Sequence, residues 1–177
     1  MTITCRNIKI NIKLKRSPNF FLLHEKEADV EQKKTSFTIR PHSLDCVITI
    51  YKHSTRSLHI TGIKSSSTVN NTFEFLTNVL RAEIISSKVN NSMFSGKLNK
   101  HVDISKVIQK VERKMPSYSC SFIEEIFPAA FIKPNLSHKK LGVPTTILFP
   151  NGSFIIMGGT DIRKIKGAHM LLTSLIE

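Results

Sequence analysis

Acidic residues are scarce in this chain. Thirteen Asp and Glu stand against 26 Lys and Arg in 177 residues, a formal net charge of +13. Such an excess is the electrostatic footprint expected of a protein that meets a polyanion, with solubility alone as the alternative. Cysteine is scarcer still. Cys5, Cys46 and Cys120 are odd in number and far apart, and no Cys-x-x-Cys pair occurs. That argues against a thiolate zinc site and suits a reducing compartment. The seven histidines are scattered without metal-ligand spacing. No apolar run approaches the roughly 20 residues of a membrane helix. The basic, polar start has no apolar signal-peptide core. Catalytic patterns are missing too. No nucleophile–base arrangement or phosphate-cradling glycine loop occurs. Glu124 and Glu125, adjacent on an extended segment, point to opposite faces. A non-enzymatic protein without cofactor or metal is expected.

Hydrophobic residues, 40% of the chain, suffice for a soluble core. Residues 121–159 organise the reading. Ile147, Leu148 and Phe149, a Pro150-Asn151-Gly152 turn, and residues 154–157 form a hairpin, since Asn-Gly between apolar runs is a strong hairpin signal. Residues 46–51 and 57–62 echo it around a polar turn at 52–56. A helical run follows each hairpin, at 69–81 and at 161–176. The layout is written twice.

Taken in order, residues 3–14 alternate Ile8, Ile10, Ile12 and Leu14 against Asn7, Lys9, Asn11 and Lys13. That is a strand with one apolar face and one polar, basic face. Ser17 and Pro18 suit a helix start, with Phe20, Phe21, Leu22 and Leu23 as its apolar face. Residues 25–34 read as a solvated helix end and loop. Residues 37–40 read as a short strand ended by Pro41. In the second half, residues 83–98 read as a strand. Val102, Ile104, Val107, Ile108 and Val111 fall at helical spacing, with Asp103 suiting the positive helix start. Residues 115–121 read as a connector, and residues 135–140 as a basic loop. Each half is therefore strand, helix, antiparallel strands, helix. The expected class is α+β, with helices covering one face of an antiparallel sheet and the other face free. The halves are residues 1–82 and 83–177 of one pseudo-symmetric domain.

This duplicated layout resembles the saddle-shaped core of the TATA-box-binding protein family over nearly the whole chain. The residues that carry the likeness are SFIEEIFPAAFIKP, KVNNSMFSGKL and ILFPNGSFIIMGG in the second half, and RNIKINIKL and SLHITGIK in the first. The resemblance implies little beyond the core, a curved sheet laid on the DNA minor groove, and kinking by aromatic wedges. It implies groove asparagines at Asn7 and Asn91. It implies a first aromatic pair, Phe37 and Tyr51, and a second, Phe127 and Phe149. Thr61 matches a groove threonine whose symmetry mate is Met157. The family's valine floor is replaced by Lys9, His59, Met93 and Ile155, so the first half is polar and basic. A lysine favours phosphate or base acceptors without distinguishing them well. Tyr51 can still wedge, its hydroxyl needing a partner or water. Phe20, Phe21, Phe73, Phe75 and Phe154 read as core.

The implied partners are A·T-rich double-stranded promoter DNA, a transcription factor IIB-like protein meeting Glu125 and Ile126, and RNA polymerase. The first-half helix carries few of the lysines with which the family meets transcription factor IIA, so that contact is expected to be weak or absent. The implied place is the nucleus, or a cytoplasmic viral factory if the source is a large DNA virus. The rival expectation is a module of the same fold without TATA selectivity, either an adaptor or a binder of RNA–DNA hybrids. A purely protein-binding scaffold is a third. No second domain is expected after the core, which argues against an accessory unit of an enzyme.

Overall fold

The computed structural model describes residues 3–18, 23, 27–123, 125 and 127–177. Its elements run in order β1 (Ile3–Leu14), β2 (Ala28–Gln32), β3 (Ser36–Pro41), β4 (Val47–Tyr51), β5 (Ser57–Ile63), α1 (Ser66–Asn78) and β6 (Ile84–Lys97). They continue α2 (Ile104–Lys114), β7 (Tyr118–Ile123), β8 (Phe127–Pro134), α3 (Leu136–Lys140), β9 (Thr145–Leu148), β10 (Ser153–Met157) and α4 (Ile162–Ile176). The chain forms two compact units, Arg6–Asn90 and Met1–Cys5 with Asn91–Glu177.

In the Arg6–Asn90 unit the strands pair antiparallel in the order β2-β3-β4-β5-β1. Strand periodicity puts alternate residues on one face. The rows Phe37–Ile50–Leu58–Ile12 and Ile39–Ile48–Ile60–Ile10 stand opposite one another across β3, β4, β5 and β1. Their isoleucines and leucine are buried with Phe75 and Leu76 of α1. The side-chain oxygen of Ser65 accepts the Thr68 N–H at 3.2 Å, which satisfies an orphan donor of the first turn of α1.

The second unit repeats the plan in the order β6-β10-β9-β8-β7. Ala130, Leu148 and Phe154 form one buried row, and Ile132, Thr146 and Ile156 the next. They pack with Val107 and Val111 of α2 and Ile165, Ala168 and Leu172 of α4. Asp103 caps α2 through the Lys106 N–H, and Asp161 caps α4 through the Arg163 N–H. Among the described residues, no helix is long and apolar enough to cross a membrane.

Three segments differ from the sequence reading. Residues 28–32 are a strand, not a solvated helix end and loop. Its side chains beyond Ala28 are exposed, so burial imposes no alternation. Residues 118–121, expected as part of a connector, belong to the edge strand β7, paired on one side only with β8. Residues 136–140, expected as loop, form a single helical turn, α3, because Asn135 accepts the His138 N–H. The expected helix that starts at Ser17–Pro18 and carries Phe20, Phe21 and Leu22 lies largely outside the described residues. Leu23, from the same expected face, packs against the first core.

Candidate nucleic-acid interface

Each unit presents the sheet face opposite its core, and the two faces differ in chemistry. In the first unit Asn11, His59, Thr49 and Thr38 stand opposite one another across β1, β5, β4 and β3. Thr61 lies opposite Val47, and Ser57 opposite Lys13. Asn7 and Lys9 continue this face along β1 by the two-residue period. The row is polar from end to end.

The matching row of the second unit is Ser95, Ile155, Ile147 and Phe131, across β6, β10, β9 and β8. Met93 and Met157 face each other one step along, with Thr145 beyond. Here three of four row positions are apolar. Position by position, Asn11 matches Ser95, His59 matches Ile155, Thr49 matches Ile147, and Thr38 matches Phe131.

One device occurs in both units. The Asn7 side-chain oxygen accepts the Gly62 N–H at 2.8 Å, and the Asn91 side-chain oxygen accepts the Gly158 N–H at 2.9 Å. Both glycines take φ near +90°, a conformation that side chains rarely adopt. A backbone N–H can only donate, so each amide must offer its oxygen there. Each NH₂ is thereby left over as a donor.

The aromatics are distributed unequally. Phe127 is 40% exposed. Its ring lies 5.6 Å from Phe149, edge to face, and 5.5 Å from Phe131. Lys133 Nζ stands 5.2 Å above the Phe131 ring, a cation–π contact. The turn holds Phe149 in place: its N–H donates to Ser153 O at 2.9 Å, and its carbonyl accepts the Gly152 N–H at 3.0 Å. Phe131, which the sequence reading left out, joins the cluster because it lies four residues from Phe127 and so on the same strand face. That spacing was the available signal.

In the first unit the expected pair is not brought together. Phe37 stands opposite Ile50, in the row of Ile12 and Leu58, on the helix-covered face. Lys52 Nζ lies 5.1 Å from its ring. This corrects the placement of Phe37 beside Tyr51. The reason is length. Phe37 is four residues before Pro41, whereas Phe127 is seven before Pro134. Phe37 therefore occupies the place of Ala130, and the place of Phe127 falls at exposed Lys34. Tyr51 instead meets two histidines, His59 edge-on at 5.3 Å and His53 at 5.6 Å. These three rings, with Ser54 and Ser57, line an open cleft of about 410 Å³.

His59 is held below the ordinary histidine pKa, first by burial and then by the positive charge of Lys9. Its Nδ1 is buried without a hydrogen-bond partner among the described residues, as is Oδ1 of its cross-strand neighbour Asn11. Of the two residues expected to meet a partner, Glu125 is exposed in the β7–β8 turn. Ile126, with neighbouring Glu124, lies outside the described residues. Among the described residues no group of His, Cys, Asp or Glu could hold a metal ion.

Two antiparallel sheet units of the same design, each with one helix-covered and one open face, define the TATA-binding-protein-like α+β fold. The structure is similar to that of the TATA-binding protein (TBP) of Methanococcus jannaschii, with a TM-score of 0.72 over 99% of this chain and 98% of that one, at 15% sequence identity. No family model matches the chain, and no curated protein matches it by sequence. At that identity the likeness is one of fold.

Proposed function

We propose that the chain is a divergent general transcription initiation factor of the TBP type, binding promoter DNA in the minor groove and bending it. The observation that carries this reading is the repeated asparagine device. Two amides, one on each open face, each accept a backbone N–H through the oxygen, which leaves each NH₂ as a donor. The minor groove offers acceptors, adenine N3 and thymine O2, at every A·T pair. Met93, Ile155, Ile147 and Met157 supply an apolar floor where A·T pairs lack the guanine amino group. Exposed Phe127 and partly buried Phe149, their rings in contact, are the proposed wedge of the second unit, and Tyr51 that of the first. Thr61 and Lys9 complete the contacts, and the surplus of lysine and arginine neutralises phosphates. Phe37 has no part in the wedge.

Smoothly bending a short duplex costs on the order of 1–10 kcal/mol, so the wider protein–DNA interface that a bent duplex permits must offset it. In this reading exposed Glu125 meets a IIB-like factor, which brings RNA polymerase to the promoter, in whatever compartment transcription takes place. The first unit's polar row favours a second reading, a binder of the same fold without strict TATA selectivity.

Energy transfer between the ends of labelled A·T-rich duplexes tests the proposal. The wild-type protein should bring the ends together. Changing Phe127 and Phe149 together to Ala should abolish the bend while circular dichroism stays native, because Phe127 is already 40% exposed. A bend retained in that double variant, or no bend with the wild type, would sink the wedge assignment.

A further inference from the structure

We infer that the first unit accepts a G·C pair in the minor groove, its Asn11–His59 pair taking the guanine 2-amino group. This rests on the groove-binding reading above and names the base pair that one half of the interface selects.

The argument starts from complementarity. The minor-groove edge of A·T carries acceptors only, whereas G·C adds one donor, the guanine N2 amino group. A face that selects A·T needs donors and apolar surface. Both units have the donor, in the NH₂ groups of Asn7 and Asn91, and only the second has the apolar surface, in the row Ile155–Ile147–Phe131. At the corresponding row the first unit has no apolar floor: Asn11, His59, Thr49 and Thr38 stand there instead. Asn11 Oδ1 and His59 Nδ1 are buried without a hydrogen-bond partner among the described residues, and they belong to directly opposed residues on β1 and β5.

Directly opposed residues hold their Cβ atoms about 4.5–5.5 Å apart, close enough for both to reach one small group. Neutral imidazole protonated on Nε2 leaves Nδ1 as an acceptor. Both atoms are buried, on side chains that are themselves partly exposed. To meet a base edge they must turn about the last side-chain torsion, which exchanges the two ends of the amide and of the imidazole. An A·T edge laid there would set acceptor against acceptor. A G·C edge supplies a donor to these two atoms. Lys9 beside them tolerates either pair, since it seeks acceptors that both present.

Inosine isolates the group in question, because an I·C pair is a G·C pair without the 2-amino group. The test uses the whole chain and A·T-rich duplexes carrying one G·C pair at successive positions, with a matched I·C series, read by fluorescence anisotropy. At one position G·C should bind about tenfold more tightly than I·C, the size of a good direct base contact. Asn11→Leu should bring that ratio to one. Asn11→Asp, which keeps an acceptor, should preserve the ratio even if overall affinity falls. His59→Phe should reduce it.

The inference is overturned if G·C binds no better than I·C at any position while all-A·T DNA is bound and bent, and the groove-binding reading then stands. It is also overturned if Asn11→Leu keeps the preference in full. If no duplex of any composition binds, both readings fall together.

Discussion

His59 and His169 are the residues at which this protein should feel acid. His59 lies on the first unit's open face, beside Lys9 and the rings of Tyr51 and His53. His169 packs its ring 5.7 Å from Phe154, with Nε2 buried and unpartnered among the described residues. Burial is the main reason that each is held below the ordinary pKa. The sign follows. A depressed folded pKa means that the unfolded chain binds more protons as pH falls, so stability falls with it. The full contribution is present above the ordinary histidine pKa and is lost as pH drops through the lower folded values. Thermal unfolding should therefore shift downward between about pH 7 and pH 5, and the double variant His59→Phe with His169→Phe should flatten that slope. An unchanged slope in the variant would assign the acid sensitivity to other groups. At this scale the sequence is most informative where a residue recurs. Asn7 and Asn91 stand out as repeat mates, and each accepts the same glycine N–H. Phe37 misleads because matching aromatic to aromatic ignores register. Counting back from Pro41 and Pro134 puts it at the core-facing place of Ala130.

At the scale of elements, the second hairpin is the part most tightly specified by local chemistry. Gly152 sits at φ +80° in the Asn-Gly turn. A Cβ there would run into the Lys100 carbonyl oxygen and come within 2.9 Å of the Leu98 oxygen. The turn is docked on that same backbone, for Leu98 donates to Gly152 O at 2.8 Å and Val102 to Pro150 O at 2.8 Å. Gly152→Ala should thus combine left-handed strain with a clash against rigid carbonyls. A loss of about 1–3 kcal/mol is expected, measurable as a lower urea midpoint at unchanged slope. Because the turn also positions Phe149, the variant should weaken DNA bending more than Ala substitutions elsewhere on the surface. A neutral result would mean that the turn relaxes freely and does not fix the wedge. Elements with a strong internal signal are legible in advance. The alternation of β1, the Asn-Gly hairpin, and the apolar faces of α2 and α4 all lie where the sequence predicts them. The edge strands β2 and β7 escape, since a strand paired on one side need not alternate, and its pairing is decided by a distant partner.

For the molecule as a whole, charge sets the terms of binding. A surplus of 13 positive charges on 177 residues could serve solubility alone, or it could displace counterions from a nucleic acid. The two uses differ in a measurable way. Each phosphate neutralised releases condensed cations, so the logarithm of affinity falls linearly with the logarithm of salt concentration. If the surplus works on DNA, affinity for an A·T-rich duplex should fall by on the order of 10³ or more between 50 and 200 mM salt, as for proteins that make several phosphate contacts. Energy transfer measured in the same titration separates phosphate contact from groove chemistry. The bend in the bound fraction should persist as affinity falls, because the wedge rings and asparagine donors are uncharged. If Lys9 meets a phosphate rather than a base acceptor, Lys9→Gln should lower the salt slope by about one unit and leave the bend intact. A bend that disappears in step with phosphate contacts would make bending an effect of charge neutralisation, and Phe127 and Phe149 would lose their role. Affinity insensitive to salt would remove the polyanion from the account and leave the basic surface to solubility or to an acidic protein partner.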